Sequence, residues 1–294
     1  MPAESARPRS VAGLIAAATF AVLAAAVGLA GCAPGRTVTP YEAARAANQS
    51  RHVSERFAPT PVVIDDPSGL ETARLLFDAS ETLVLTDSTP EAQLRGASIA
   101  VVAHAPLLVH DSARHDEVIA EIGRLKARTV LTVGDVPLAP SAGEVRVFRD
   151  PGGYDALAVM TTLRFDVLQV AAPAEAAGAV AALQAKQPTA LQAAWAEPKV
   201  MAGAAARPFP IHSRRDADMA PAVVATADSP IAAVANLRSF GANVTLVPDA
   251  DPRAAEGTLL AVAGLAQSPL IALGPQFGSA EELSKRIMRA EEIY

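Results

Sequence analysis

The sequence predicts an α/β fold of parallel sheets flanked by helices, in two related repeat-like halves, after a signal peptide and a flexible tether. Three observations lead there. Short, almost continuously apolar runs recur, such as Thr82-Leu83-Val84-Leu85-Thr86, Thr129-Val130-Leu131-Thr132-Val133 and Ala222-Val223-Val224-Ala225, and strands apolar on both faces belong to parallel sheets covered on both sides. Segments with helical spacing of apolar residues alternate with these runs. Of the 294 residues 51% are hydrophobic but only 4% aromatic, so the core must be built from Ala, Val and Leu.

The elements follow in order. Residues 71–79 read as a helix and 82–86 as a strand. Asp87-Ser88-Thr89-Pro90 ends that strand and caps a helix running to residue 103. Residues 106–109 form the next strand, and Ser112 caps a helix to 126 with Val118, Ile119, Ile122 and Leu125 on one face. Strands follow at 129–133, closed by Gly134-Asp135, and at 145–148. The second half repeats the grammar: helix 154–164, strand 166–170, helix 174–185, an irregular stretch 187–209 with the lone Trp195, strand 222–225, helix 230–240, strand 244–247, helix 254–266 and strand 269–273. Ser279 caps the last helix, to 292, with Glu281 and Glu282 in its favourable first turn. Leu85-Thr86-Asp87-Ser88 and Ala225-Thr226-Ala227-Asp228-Ser229 both lead from a strand into a capped helix and then another strand, a weak internal similarity.

The N-terminus has the parts of a secretory signal. Arg7 and Arg9 outweigh Glu4, residues 11–28 are apolar, and Ala30 and Gly31 are small. The alternative is a membrane-spanning helix, since the run is nearly long enough. Cys32 is the only cysteine and directly follows Leu29-Ala30-Gly31. In that setting the four residues resemble the lipobox of bacterial lipoproteins. The resemblance implies cleavage between Gly31 and Cys32, acylation of Cys32 (palmitate among the acyl groups), and attachment to the extracytoplasmic face of the cell membrane. Each buried methylene contributes about 0.8 kcal/mol, so several acyl chains anchor a protein without a spanning helix. Residues 32–60, rich in Pro and polar residues with a short polar helix within 41–56, read as a tether. The remaining organisation is one α/β module over 61–150 and a second half over 151–294.

The whole chain carries −6; the leader's net +1 leaves −7 on the exported part. Such a surface gives no electrostatic case for nucleic acid. With Cys32 acylated, no disulfide and no thiol nucleophile remain. No glycine-rich phosphate loop and no Gly-x-Ser-x-Gly elbow is present, so neither a cofactor nor a catalytic residue is expected. His104, His110 and His115, with Asp111 and Asp116, cluster in sequence but lack metalloprotease spacing, and no metal is expected. Asp87, Asp111 and Asp135 each follow a strand, where ligands bind in open parallel sheets; helix capping and turn formation, for which Asp is favoured, are the preferred account of them. The stretch 207–215 (RPFPIHSRR) is the best local basic patch, and His212, Arg214 and Arg215 are its candidate contacts to an anionic polymer.

Residues 82–134 (TLVLTDSTPEAQLRGASIAVVAHAPLLVHD, a helix, then RTVLTVGD) resemble the cell wall-binding repeat 2 family. The matching features are Ala105-Pro106-Leu107-Leu108-Val109 and Val130-Leu131-Thr132-Val133-Gly134, with Pro90-Glu91-Ala92-Gln93-Leu94 a looser match and Asp135 where the family has a second glycine. The close match covers about a fifth of the chain. The resemblance implies a parallel α/β repeat that binds anionic cell-wall polymers, often in three copies. The ending ALGPQFGSAEELSKRI is similar to a segment of actinobacterial envelope proteins in some of which further sequence follows, so a later module is expected to be lacking here. The expected function is non-catalytic binding of cell-wall polysaccharide or another envelope polymer. The rivals are a solute-binding lipoprotein whose two lobes close on a ligand and an envelope enzyme using the strand-end acids. Oligomeric state is open.

Overall fold

The computed structural model describes residues 38–139, 141–142, 144–212 and 219–294. The chain runs through α1 (Pro40–Gln49), β1 (Val62–Ile64), α2 (Leu70–Leu76), β2 (Thr82–Thr86), α3 (Pro90–Ala103), β3 (Leu107–Val109), α4 (His115–Arg124), β4 (Thr129–Val133), β5 (Ser141–Ala142) and β6 (Val145–Arg149). It continues with α5 (Tyr154–Thr161), β7 (Asp166–Val170), α6 (Ala176–Ala182), β8 (Thr189–Ala193), β9 (Ala222–Ala225), α7 (Ile231–Phe240), β10 (Val244–Leu246), α8 (Glu256–Val262), β11 (Leu270–Leu273) and α9 (Ala280–Glu291). Among these helices none is long and apolar enough to cross a membrane; Gly31 and Cys32 lie outside the described residues, as do Arg214 and Arg215.

Three sheets result. One has the order β3-β2-β4-β6-β5, parallel except for the edge strand β5. The second is wholly parallel, with the order β10-β9-β11-β1. The two share one plan. A central strand (β2 or β9) leads into a buried helix (α3 or α7), then to a neighbour on one side (β3 or β10), then through a further helix to the neighbour on the other side (β4 or β11). The fourth place is filled by β6 in the first sheet and by β1 in the second, where Val62 pairs with Ile271 and Ile64 with Leu273. The C-terminal sheet is therefore closed by a strand from the start of the fold. The third sheet has two strands, β7 and β8, parallel and joined through α6.

The helices that follow the first strand of each unit, α3, α7 and α6, pack on one another. Their sequences account for this. In α3 every residue from Gly96 to Ala103 is buried, and in α7 all of Ala232 to Leu237; a helix apolar all round belongs inside a protein. Small residues allow close approach. A Cβ on Gly96 would lie 2.4 Å from Thr86 Cγ2, so α3 sits directly on β2. Thr89 caps α3 with Pro90 in the first turn, and His104 ends it in the left-handed conformation at φ 52°. Gly241, at φ 99°, ends α7.

Polar groups weld these apolar helices in register. Asn236 Nδ2 donates to Gly69 O at 3.0 Å, Thr72 Oγ1 at 2.9 Å and Leu107 O at 3.0 Å, and its Oδ1 accepts from Leu107 N–H at 2.7 Å. Ser239 Oγ donates to Ala105 O (2.5 Å), and Ser98 Oγ donates to Leu94 O and accepts from Leu191 N–H. Beneath Thr72, the buried Asp66 accepts from Thr72 N–H and Oγ1, both at 2.8 Å.

Most strand and helix expectations hold within a few residues; β1 and β5 have no counterpart among them, and three further places differ. Residues 189–193, read as irregular, form β8. Thr-Ala-Leu-Gln-Ala has little strand propensity, and the strand is set by pairing to β7 and by the Ser98 hydroxyl on its other edge. The helix expected within the tether is docked: Tyr41 is buried and stacked on Tyr294, and Asn48 Nδ2 donates to Leu260, Ala261 and Ala263 carbonyls on α8. Asp111 rather than Ser112 makes the cap before α4, accepting from Ala113 N–H at 3.0 Å, with a 3-10 turn intervening. At Ser279 the expected cap is present as a full capping box with Glu282.

Two stability effects follow. Asn236→Ala leaves the buried Leu107 N–H unsatisfied and should cost about 2–3 kcal/mol in urea unfolding. Thr86 Oγ1 is buried and, among the described residues, has no hydrogen-bond partner; Thr86→Val removes that desolvation cost and should raise stability by about 1 kcal/mol.

Candidate functional site

The rim at the carboxyl ends of β2, β3 and β4 is where the strand-end acids were expected to converge. Each has a structural task there. Asp87 Oδ1 accepts from Thr89 N–H (2.8 Å) and Thr89 Oγ1 (2.5 Å), and Oδ2 accepts from Asp135 N–H at 2.7 Å. It thus holds the turn that presents Thr89 as the cap of α3 and ties the end of β2 to the end of β4. Gly134, at φ 83°, makes room, since a Cβ there would lie 2.2 Å from Asp87 Oδ2. Burial pushes the Asp87 carboxyl up, but the Thr89 hydroxyl, the two backbone N–H groups and the Lys199 charge outweigh it, and the carboxyl is held below its usual range. Asp111 is the cap described above, and Asp135 contributes its backbone.

Of the three clustered histidines, His104 turns away and the other two stay together. His104 Nδ1 donates to Ser239 O at 2.9 Å, toward α7. His110 and His115 share a hydrogen bond at 3.3 Å. Burial, then the neighbouring His115, holds His110 below its ordinary pKa, opposed by Asp111. Among the described residues no three His, Cys, Asp or Glu side chains gather as a metal would require. His212 lies at the opposite end of β2 from the rim: its ring is hydrogen-bonded to Thr82 Oγ1 at 2.8 Å and its N–H donates to Ala103 O. At the start of the same stretch, Arg207 stacks over Phe148, 5.2 Å from the ring centre.

What the rim does frame is a cavity of about 330 Å³ between the first sheet and β8, within the roughly 300–1,000 Å³ range of small-ligand sites. Its floor is an ion pair. Asp150, 3% exposed, directly follows β6 and meets Arg95 of α3 in a two-pronged contact: Nη2 to Oδ1 at 2.9 Å, and Nε to Oδ2. Arg95 also donates to Gly153 O, and Gly152 N–H donates to Asp150. These bonds satisfy both charges, as a buried pair requires. One wall is Tyr154, whose hydroxyl donates to Gln192 Oε1; Gln169 Nε2 donates to the same oxygen at 2.9 Å. Across the mouth runs the segment 194–201, anchored where Trp195 Nε1 donates to Glu91 and where Lys199 O would lie 2.0 Å from a Cβ on Gly152. Glu197 and Lys199 complete the lining with Leu157, Leu191 and Met201. The Ser98 hydroxyl in the wall is already bonded on both sides, and no lining hydroxyl sits beside a histidine. The arrangement offers amide, phenol and ammonium groups beside apolar side chains, over a floor whose two charges cancel.

Sequence reading missed these residues. Arg95 is one charge inside a helix otherwise apolar in its middle, and Asp150 opens a Pro-Gly-Gly turn; each signal is ordinary until the fold pairs them. A second, wider cavity of about 610 Å³ lies beside β1, lined by Phe57, Ile64, Glu71, Leu75, Pro275 and Ser279.

No protein family model matches the chain, and no curated protein matches it. Among solved structures it is similar to Cwp6 from Clostridium difficile, at 13% identity and a TM-score of 0.45 over 78% of this chain and 48% of that one. It is likewise similar to Cwp8 from Clostridium difficile, at 13% identity and a TM-score of 0.44 over 80% of this chain and 52% of that one. The chain spans about half the length of each.

The Asp87 latch has a pH signature. Its folded-state pKa is depressed, so its contribution is complete above the unfolded-state value of about 4 and is lost as pH falls through the folded one. Asp87→Asn should lower stability at pH 7 by about 1–2 kcal/mol and flatten the fall in stability below about pH 5, read by denaturant titration across pH.

Proposed function

We propose that this chain is a lipid-anchored envelope protein that associates with cell-wall or other envelope polymer and does no chemistry on it. In this reading the leader is cut between Gly31 and Cys32, and Cys32 is acylated and held in the outer face of the cell membrane. Residues 32–60 lead to the α/β body. The cavity over Arg95 and Asp150 takes a saccharide-sized unit of the polymer, and His212, Arg214 and Arg215 form an accessory anionic contact at the other end of the first sheet. The lipobox-like Leu29-Ala30-Gly31-Cys32 supports the location, and the resemblance of residues 82–134 to cell wall-binding repeats supports the ligand class.

The observation that carries binding over catalysis is the use made of the acids. Asp87 holds Thr89 and the Asp135 N–H, Asp111 is a cap, Asp150 is neutralised by Arg95, and Glu91 accepts from Trp195. A general acid or base needs a free proton-transfer position near the reacting group; these four carboxylates are already committed to hydrogen bonds that hold the fold, which leaves Glu197 as the lining carboxylate not so committed. The cavity itself favours one other reading, a receptor for a small soluble solute.

Membrane fractionation with labelled fatty acid tests the anchor: Cys32→Ala should lose the label and appear in the soluble fraction. Sedimentation of the chain with purified wall material tests the binding. Gln192→Ala should weaken it about five- to tenfold, the effect of one hydrogen-bonding group. Absence of sedimentation with every envelope fraction, together with a thermal shift on adding a free sugar, would replace polymer binding by solute binding.

A further inference from the structure

β7 is an open edge in a fold that closes its other two central strands. β2 has β3 on one side and β4 on the other, and β9 has β10 and β11. β7 holds the same place in its own unit, the strand that leads into a buried helix. It has β8 on one edge and, among the described residues, no strand on the other. The position occupied by β4 and β11 elsewhere is vacant here.

The edge is also unprotected. Natural edge strands are short, charged at the middle, bulged or covered. β7 is five residues long, Asp-Val-Leu-Gln-Val, and its first four residues are exposed. Val167 is 45% and Leu168 46% exposed although they point to opposite faces. Tyr154, linked through Gln192 to Gln169, extends the apolar surface on the Val167 face. The backbone pattern says which groups are free. Asp166 N–H donates to Pro188 O, and Val170 O accepts from Ala194 N–H, so residues 166, 168 and 170 turn their peptide groups toward β8. Val167 and Gln169 turn theirs outward.

We propose that this edge pairs with the same edge of a second copy, antiparallel about a two-fold axis at Leu168. Val167 and Gln169 of one copy then exchange backbone hydrogen bonds with Gln169 and Val167 of the other, and the two Leu168 side chains meet in the close, non-hydrogen-bonded position. The charge pattern selects this direction. A parallel, in-register pairing would set the two Asp166 carboxylates side by side. The antiparallel one separates them by about 13 Å along the strand, beyond the roughly 8 Å screening length at physiological salt. The product is a continuous four-stranded sheet, β8-β7 with its symmetry mate, equal in strand number to the C-terminal sheet. This inference does not rest on polymer binding. A five-residue pairing is smaller than the roughly 1,000 Å² of a stable interface, so the dimer belongs to conditions where copies are concentrated.

The test is disulfide trapping of the full-length chain in the expressing cell, in whichever fraction the chain is found. Opposed non-hydrogen-bonded residues lie about 4.5 Å apart between Cα atoms, within the roughly 4.4–6.8 Å reach of a disulfide. Leu168→Cys should give a reducible dimer on mild oxidation, while the unaltered chain and Met288→Cys, an exposed aliphatic position on α9, should not. Adding Val167→Pro to Leu168→Cys removes an N–H that β8 does not use, and should lower the dimer yield about tenfold through loss of two symmetric hydrogen bonds while the chain still accumulates. Cross-linking of Leu168→Cys no greater than that of Met288→Cys overturns the proposal, and so does a yield unchanged by Val167→Pro. Protection of the Val167 and Gln169 amides from hydrogen exchange in a chain shown to be monomeric also overturns it, by placing another part of the same chain on the edge.

Discussion

The fold depends on the contact of α3 with α7 and on the few polar groups that set its register. Two helices made of Ala, Val, Leu and Ile can slide on one another at little cost, because such surfaces are interchangeable. Asn236 removes that freedom. It accepts from the peptide N–H that begins β3 and donates toward carbonyls of both β3 and the turn before α2. Ser239 and His104 add a second tie one turn further on. Each bond contributes only about 1 kcal/mol net, but a buried group left unpaired costs more, so the wrong registers are penalised.

The same economy explains the candidate site. In a parallel sheet the carboxyl ends of the strands are the natural ligand edge, and here the Asp87 and Asp111 carboxylates along that edge are spent on joining strands to helices. What remains for a ligand is the space between the first sheet and the reduced middle unit. Arg95 and Asp150 close its floor, and the segment carrying Trp195 and Lys199 crosses its mouth. The truncation of the middle unit to two strands thus has two consequences: it leaves a cavity beside β8 and an open edge on β7.

Much of the first sheet was legible in the sequence. Thr82–Thr86 and Thr129–Val133 are continuous apolar runs bounded by Asp and Gly, and their covered parallel setting follows from that pattern. The shared plan of the two larger sheets has a weak counterpart in the Asp-Ser steps before α3 and α7. The strand β8 was not legible, because Ala and Gln carry no strand signal and its order comes from Ser98, 93 residues away in sequence. The role of β1 was equally hidden, since three residues near the start of the fold complete a sheet whose other strands lie beyond residue 221.

The sequence by itself determined the α/β class, the capped helices, the candidate signal and acylation site, and the limits set by a mildly acidic surface. These are local properties: strand, cap and leader signals act within a few residues, and charge is a sum over the chain. The tertiary structure decided what long-range pairing alone can fix. It set β1 against β11, brought Arg95 and Asp150 together to form a cavity floor, parted His104 from the paired His110 and His115, and left β7 with one neighbour among the described residues. Each depends on which surfaces meet after the core has packed.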